Sequence, residues 1–471
     1  MKKNKINILL LTISLLLHIG CIKDNVNKKP NVLFFMVDDL RPELGNYGAS
    51  QVISPNIDKL SSQGLVFNNA FCNVPVCGAS RASILTGILP TNSRFLNFRS
   101  RADIDVPDAK TLPQVFKEAG YKTVSLGKVF HYKEDCEGQS WSEPAWRDEI
   151  KSNMAIDSSS TMKYLSERGR GRFYEMPDVS DYEYHDGRTA LKTIEKLNEF
   201  KKNEEPFFLV AGFVKPHLPF YAPKKYWDLY DRDSIQIADN RYRPQNAPSA
   251  LSGSSEFKSY YLDSLDLESD RFHKTMKHGY LACVSYVDHL IGEVLNELEE
   301  TGLAENTIVV LWGDHGWHLG EHDFWGKHNT MHLALRVPLI IKLPNQKIGI
   351  STDAIVESTD VFPTLCELAN IDIPKKVQGA SFSKLLDEPH TNFRKYAYNR
   401  YGKADAVVSD RYSFSIFNNG ENEELMLYDR LNDPQENVNI AQDNEYLEIV
   451  VQMRSFIEES IKRATPSTSD K

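Results

Sequence analysis

The sequence predicts an α/β fold: a large mixed or mostly parallel sheet sandwiched by helices, followed by a smaller C-terminal α+β subdomain. Three observations carry this. Short apolar runs without polar alternation recur along the chain, as in strands buried on both faces. Stretches with apolar residues at helical spacing lie between them, the rhythm of a doubly wound sheet. Beyond about Ile373 the composition turns polar and shorter strands replace the long runs.

In chain order, residues 1–21 have the layout of a secretory signal: Lys2, Lys3 and Lys5, an apolar run from Ile8 to Leu17, then Gly20-Cys21. The run is too short to span a bilayer as a mature helix. Gly20-Cys21 resembles a bacterial lipoprotein processing site, with His18 where that pattern has Leu. Lipidation of Cys21 is therefore expected, giving an exported protein in the periplasm or cell envelope. The alternative is a cleaved signal and a soluble periplasmic product. Residues 22–30 form a linker, 31–372 the main domain and 373–471 the C-terminal subdomain.

Asn31-Val-Leu-Phe-Phe-Met-Val37 is the first buried strand and ends at Asp38-Asp39. Carboxylates at the carboxyl end of an early strand match where open α/β sheets bind ligands. Thr111 to Ala119 predicts a helix leading into the strand Lys122–Leu126, which closes on Gly127-Lys128-Val129-Phe130-His131. The rhythm repeats with a helix near Thr189 to Phe200, a strand Phe207–Gly212, then Lys215-Pro216-His217. Tyr280 to Leu298 predicts another helix before the strand Thr307–Trp312, after which Gly313-Asp314-His315 repeats the strand-then-acid arrangement. Val337–Lys342 is a further strand, and a helix begins near Asp360. In the tail, Tyr412–Phe417 and Glu424–Tyr428 predict antiparallel strands and Tyr446–Arg463 a final helix. Two polar, aromatic-rich stretches, residues 132–188 and 231–274, break the rhythm; loops that long are functional rims or disordered segments.

The chain has 471 residues, 41% hydrophobic and 25% charged, which suits a soluble enzyme with a large core. A net charge of -10 gives no support for a nucleic-acid partner, and an anionic substrate requires a locally basic pocket. The six cysteines, Cys21, Cys72, Cys77, Cys136, Cys283 and Cys366, lack CxxC spacing, so neither a disulfide scaffold nor a zinc ribbon is indicated. His318-Leu-Gly-Glu321-His322 formally matches an inverted zinc-peptidase motif, but that motif needs a helix, and Gly316 and Gly320 interrupt the segment. Arg168-Gly-Arg-Gly-Arg172 reads as a solvated loop rather than a polymer-binding segment.

The stretch Cys77-Gly78-Ala79-Ser80-Arg81, ending at Thr86-Gly87, places Cys77 at the start of a short helix, where N–H groups favour anions. Alone, Cys77 reads equally well as a small core residue beside a capping serine. Taken with Asp38-Asp39 and Asp314-His315, the stretch resembles the signature of the sulfatase family, with Ala79 in place of the commoner Pro. The resemblance extends from Asn31 to about Asn439 and is most specific for the branch of iduronate 2-sulfatase and its bacterial relatives.

The resemblance implies an alkaline-phosphatase-like fold and conversion of Cys77 to formylglycine (3-oxoalanine) by a formylglycine-generating maturation enzyme. A hydrated aldehyde offers one hydroxyl for attack on sulfur and a second whose deprotonation expels the bound oxyanion. It further implies that Asp38, Asp39, Asp314 and His315, with an oxygen of modified Cys77, hold one divalent cation. Three carboxylates favour Ca2+. His315 is a poor calcium ligand where many sulfatases carry Asn, but this branch carries His. Arg81 supplies fixed charge, Lys128 and His131 sit beside residue 77 with His131 as base, and His217 and Lys327 hold sulfate oxygens and help protonate the leaving alcohol.

The expected substrates are sulfated oligosaccharides carrying uronate 2-sulfate from glycosaminoglycans, or pieces of algal polymers such as ulvan. Membrane contact is expected only through the lipid anchor. The alternatives are a phosphomonoester or phosphonate hydrolase on the same fold, and a non-catalytic envelope glycan-binding lipoprotein.

Overall fold

The computed structural model describes residues 28–149, 156, 170–418 and 422–465; the expected signal and Cys21 lie outside them. Among the described residues, one seven-stranded sheet is built from β1 (Asn31–Val37), β2 (Leu65–Phe71), β3 (Lys122–Gly127), β4 (Phe207–Phe213), β5 (Thr307–Gly313), β6 (Leu339–Lys342) and β7 (Ile350–Glu357). Their order is β7-β2-β6-β5-β1-β4-β3. Only β6 runs antiparallel to its neighbours, so the sheet is mixed and mostly parallel.

The apolar run of β1 follows from its central place. Leu33, Phe35 and Val37 enter the core on one face, and Val32, Phe34 and Met36 enter the core on the other. Truncating such a phenylalanine to Ala typically costs about 3–5 kcal/mol. The helices α1 (Cys77–Thr86), α2 (Leu112–Glu118), α3 (His185–Asn203), α4 (Asp270–Glu300) and α5 (Val361–Leu368) pack around the sheet. The start of α2 is fixed by a capping box between Thr111 and Gln114.

Two strands escape the sequence pattern. In β2 the pair Asn68-Asn69 interrupts the apolar run, and both side chains bond to Asp353 of β7. As the edge strand, β7 leaves Ile350, Ser351 and Asp353 exposed, so its first half does not read as a buried apolar run.

A second, four-stranded antiparallel sheet contains β8 (Tyr396–Tyr401), β9 (Ala404–Ser409), β10 (Tyr412–Asn418) and β11 (Glu423–Asp429), with α6 (Leu447–Ala464) against it. The predicted pair β10 and β11 is antiparallel, and β8 and β9 extend the same antiparallel sheet beyond it. Polar ties join this sheet to the segment ahead of α1: Asn73 Nδ2 donates to Tyr398 O at 2.8 Å, and Arg400 N donates to Asn73 O at 2.9 Å.

Glu357, fully buried at the end of β7, is a second tie. It accepts from Tyr398 N at 2.8 Å and from Arg463 Nη2 of α6 at 2.7 and 2.9 Å. Burial opposes its ionisation, but Arg394 and Arg463 hold its carboxyl below the ordinary range. Its stabilising charge is thus fully present above the unfolded value of about 4.3 and is lost as pH falls through the lower folded value. Arg463→Ala is expected to reduce the unfolding free energy by about 3 kcal/mol at pH 7, with the deficit shrinking in acid. Urea titrations at pH 7 and in acid check this; equal stability of the two proteins at pH 7 would contradict it.

Candidate active site

The site grows from strand register. Val37 of β1 lies opposite Gly313 of β5, so Asp38-Asp39 and Asp314-His315 emerge side by side. Asp39 N donates to Asp314 Oδ1 at 3.0 Å, and Asp314 N donates to Val37 O at 3.1 Å. Asp39 adopts a left-handed backbone at φ 60, a strained choice for a residue with a Cβ. Tyr280 of α4 holds it there, donating to Asp39 O at 2.8 Å while accepting from Arg41 N at 3.0 Å.

Asp38, Asp39, Asp314 and His315 are each 0% exposed, and their ligand atoms lie within 4.8 Å of one another. His315 Nδ1 is 3.0 Å from Gly316 O, which only accepts, so Nδ1 carries the hydrogen. The Nε2 lone pair therefore faces Asp39 Oδ1 at 3.3 Å and Asp314 Oδ1 at 3.6 Å. A lone pair against carboxylate oxygens is repulsive unless a cation lies between them. His315 Nε2 and Asp38 Oδ1 are also buried without a hydrogen-bond partner. The donor set therefore fits a divalent cation.

Cationic side chains close around the acids. Arg81, one turn into α1 and 0% exposed, donates from Nε to Asp314 Oδ2 at 2.9 Å and sits 3.6 Å from Asp38 Oδ1. Its Nη1 donates to the carbonyls of Lys128 and Val129, which fixes the turn after β3. Lys128 Nζ donates to Asp38 Oδ2. Lys327 Nζ donates to both oxygens of Asp39 at 2.8 and 3.0 Å and lies 4.8 Å from the Trp317 ring centre.

Burial opposes ionisation of Asp38, but Lys128, His217 and Arg81 keep its carboxyl well below the ordinary range. Burial and the neighbouring charge of Asp38 push Asp314 up to about 7. Two carboxylates this close compete for the available positive charge.

Cys77 begins α1 and is buried, with Sγ 3.3 Å from His131 Nδ1. Gly78 is required by space: a Cβ there would meet Phe98 O at 2.2 Å. Gly87 ends the helix at φ 66 in the left-handed cap the sequence predicts. Burial, aided by Lys128, pushes His131 down to about 3, so the ring is neutral near pH 7. Arg147 donates to the carbonyls of Gly127, Phe130 and His131 and holds that segment.

A cavity of about 770 Å³ opens over Cys77, Lys128, His131, His217 and Lys327. Five of the predicted catalytic positions thus line one cavity, and Arg81 with Asp38, Asp39, Asp314 and His315 is buried next to them. His217 Nδ1 faces Leu218 O at 2.6 Å, so its Nε2 is the free ring atom, 3.8 Å from Asp39 Oδ2. Burial and then Lys327 push His217 down to about 3.

One acid escaped the sequence analysis. Glu256 lies on the cavity wall, with Oε2 3.3 Å from Lys327 Nζ and Oε1 3.6 Å from His217 Nε2. It sits in the second long stretch, where no strand end marks it; the length of the loop was its only signal.

Other motifs resolve differently. Residues 318–322 form no α-helix: His318 bonds Asn329, His322 bonds Gln435 O and Glu321 pairs with Arg41. Among the described residues the metal-ligand groups are those around Asp38 and His315, so the zinc alternative has no ligand set. Arg172 is tied to Asp263, and Arg170 to Glu256 and Tyr260, while Arg168 lies outside the described residues. Cys72, Cys77, Cys136, Cys283 and Cys366 are all free.

The pocket sets cationic side chains and a buried thiol in one place, as an anionic substrate requires, and comparisons with known proteins specify the family. The sulfatase family model matches residues 30–371, and that for the C-terminal region of N-sulphoglucosamine sulphohydrolase matches residues 320–463. Mouse (Mus musculus) iduronate 2-sulfatase is 33% identical over 413 residues, covering 78% of this chain and 73% of that protein. A sulfatase of Formosa agariphila is 31% identical over 454 residues, covering 91% and 86%. A phosphonate monoester hydrolase of Silicibacter pomeroyi shares the fold, with a TM-score of 0.75 at 21% identity over 93% of this chain and 96% of that one. The chain belongs to the sulfatase family and is a sulfuric ester hydrolase.

Asp39→Ala is expected to weaken binding of a divalent cation by about a hundredfold or more, beyond the effect of losing an outer partner. Calorimetric titration of metal-stripped protein checks this; unchanged affinity would remove the acids from the metal site.

Proposed function

We propose that the protein removes sulfate from sugar residues of oligosaccharides derived from sulfated polysaccharides, through a formylglycine made from Cys77 by a maturation enzyme. The observation that carries this is the 3.3 Å contact of His131 Nδ1 with Cys77 Sγ, within a cavity also lined by Lys128, His217 and Lys327. A pocket without histidine and poor in lysine would have spoken against it. The 33% identity to an iduronate 2-sulfatase supports a uronate 2-sulfate or a neighbouring sugar sulfate as substrate, and the 29% identity to an ulvan-active sulfatase of Formosa agariphila supports ulvan-type polymers as the other source.

Asp38, Asp39, Asp314, His315 and residue 77 would hold Ca2+, favoured by the three hard carboxylates. Such a cation neutralises substrate charge and lowers the pKa of a nearby hydroxyl. The side chains do the rest. Neutral His131 accepts a proton at residue 77. Lys128 and Lys327 present ammonium groups to the sulfate oxygens, and Arg81 balances the acids from below. His217, with its Nδ1–H engaged by Leu218 O, must take a proton on Nε2 to hold a sulfate oxygen and pass that proton to the leaving alcohol, a form that the Glu256 carboxylate 3.6 Å away and the incoming anion favour.

The signal-like N-terminus supports export to the periplasm or cell envelope with a lipid on Cys21. No helix among the described residues is long and apolar enough to cross a membrane.

Matured protein is expected to release sulfate from a panel of uronate 2-sulfate and ulvan oligosaccharides, measured by ion chromatography. His131→Ala is expected to lower kcat by about 10²–10⁴-fold. Faster hydrolysis of aryl phosphate than of aryl sulfate, or glycan binding without turnover, would contradict the proposal.

A further inference from the structure

Glu256 places a negative charge among the groups expected to hold the sulfate. Lys327 Nζ, His217 Nε2 and Arg170 Nη1 lie 3.3, 3.6 and 3.3 Å from its carboxylate, and the side chain is only 19% exposed. A site built only to attract anions gains nothing from a carboxylate there. Its presence lowers the positive charge of the pocket by one unit at the wall that faces the ester.

Sulfate esters carry one negative charge, whereas phosphate monoesters carry nearly two above their second pKa of about 6. We propose that Glu256 is a specificity-determining residue that sets the charge selectivity of the site, admitting singly charged esters and disfavouring doubly charged phosphate monoesters. This rests on the reading that Lys327 and His217 hold the transferred group. An extra unit charge some 6 Å from a carboxylate, at the effective dielectric of protein sites, corresponds to discrimination of about tenfold or more.

The test compares matured wild type with Glu256→Gln, Glu256→Ala and Glu256→Asp at pH 8. The probes are 4-nitrophenyl sulfate, 4-nitrophenyl phenylphosphonate and 4-nitrophenyl phosphate, the first two singly and the last doubly charged. In both neutral variants the phosphate-to-sulfate ratio of kcat/KM is expected to rise about tenfold or more, and the inhibition constant of phenyl phosphate against sulfate turnover to fall in parallel. The phosphonate-to-sulfate ratio is expected to stay constant, and Glu256→Asp to keep the wild-type ratios.

An unchanged phosphate ratio in a folded neutral variant would overturn the proposal. So would an equal rise for phosphonate, because the residue would then sense the element and not the charge. Wild type that hydrolyses the phosphorus esters but not the sulfate would overturn the proposed function instead. The phosphate-to-phosphonate ratio would then still judge Glu256.

Discussion

Three carboxylates buried together at the ends of two adjacent parallel strands are the constraint on which the site depends. Removing a carboxylate from water costs several kcal/mol even after relaxation, so such a cluster persists only with compensating charge. Asp38, Asp39 and Asp314 receive it from Arg81 on α1, Lys128 after β3 and Lys327 after β5, and their donor geometry leaves room for a cation as well. Each compensating residue comes from a different segment. The acids therefore organise α1, the turn at Gly127 and the segment after β5 around one point.

This explains features that propensity alone does not. All ten residues of α1 are buried, including Arg81, because the helix delivers charge inward and has no solvent face. Asp39 keeps a strained backbone because Tyr280 and Asp314 both bond to it. The second sheet matters to the site through Asn73 and Glu357, which fasten it to the approach to α1 and to the end of β7.

Much of this was legible in the sequence because it is local. The continuous apolar strands, the acids that end β1 and β5 and the capped helix from Cys77 to Gly87 each have a short-range signature. Edge strand β7 and interrupted β2 were hidden because their polar residues satisfy one another across the pair. Glu256 was hidden for a different reason: its role comes from contacts with residues 39 and 71 positions away in sequence, His217 and Lys327, which no spacing rule connects. The zinc-like motif shows the converse, since five residues at the right spacing without the required helix carry no chemistry.

A doubly wound sheet shared with a phosphonate monoester hydrolase leaves the chemistry to side chains at the strand ends. In the proposed reaction Cys77, once converted to formylglycine, and not the surrounding charge alone, supplies the nucleophile. Mass spectrometry of the peptide spanning residue 77, from protein produced with a formylglycine-generating enzyme, tests it most directly. A loss of about 18 Da relative to the thiol form is expected, the change when an aldehyde replaces a thiol. An unmodified thiol at Cys77 in protein that still hydrolyses sulfate esters would contradict it.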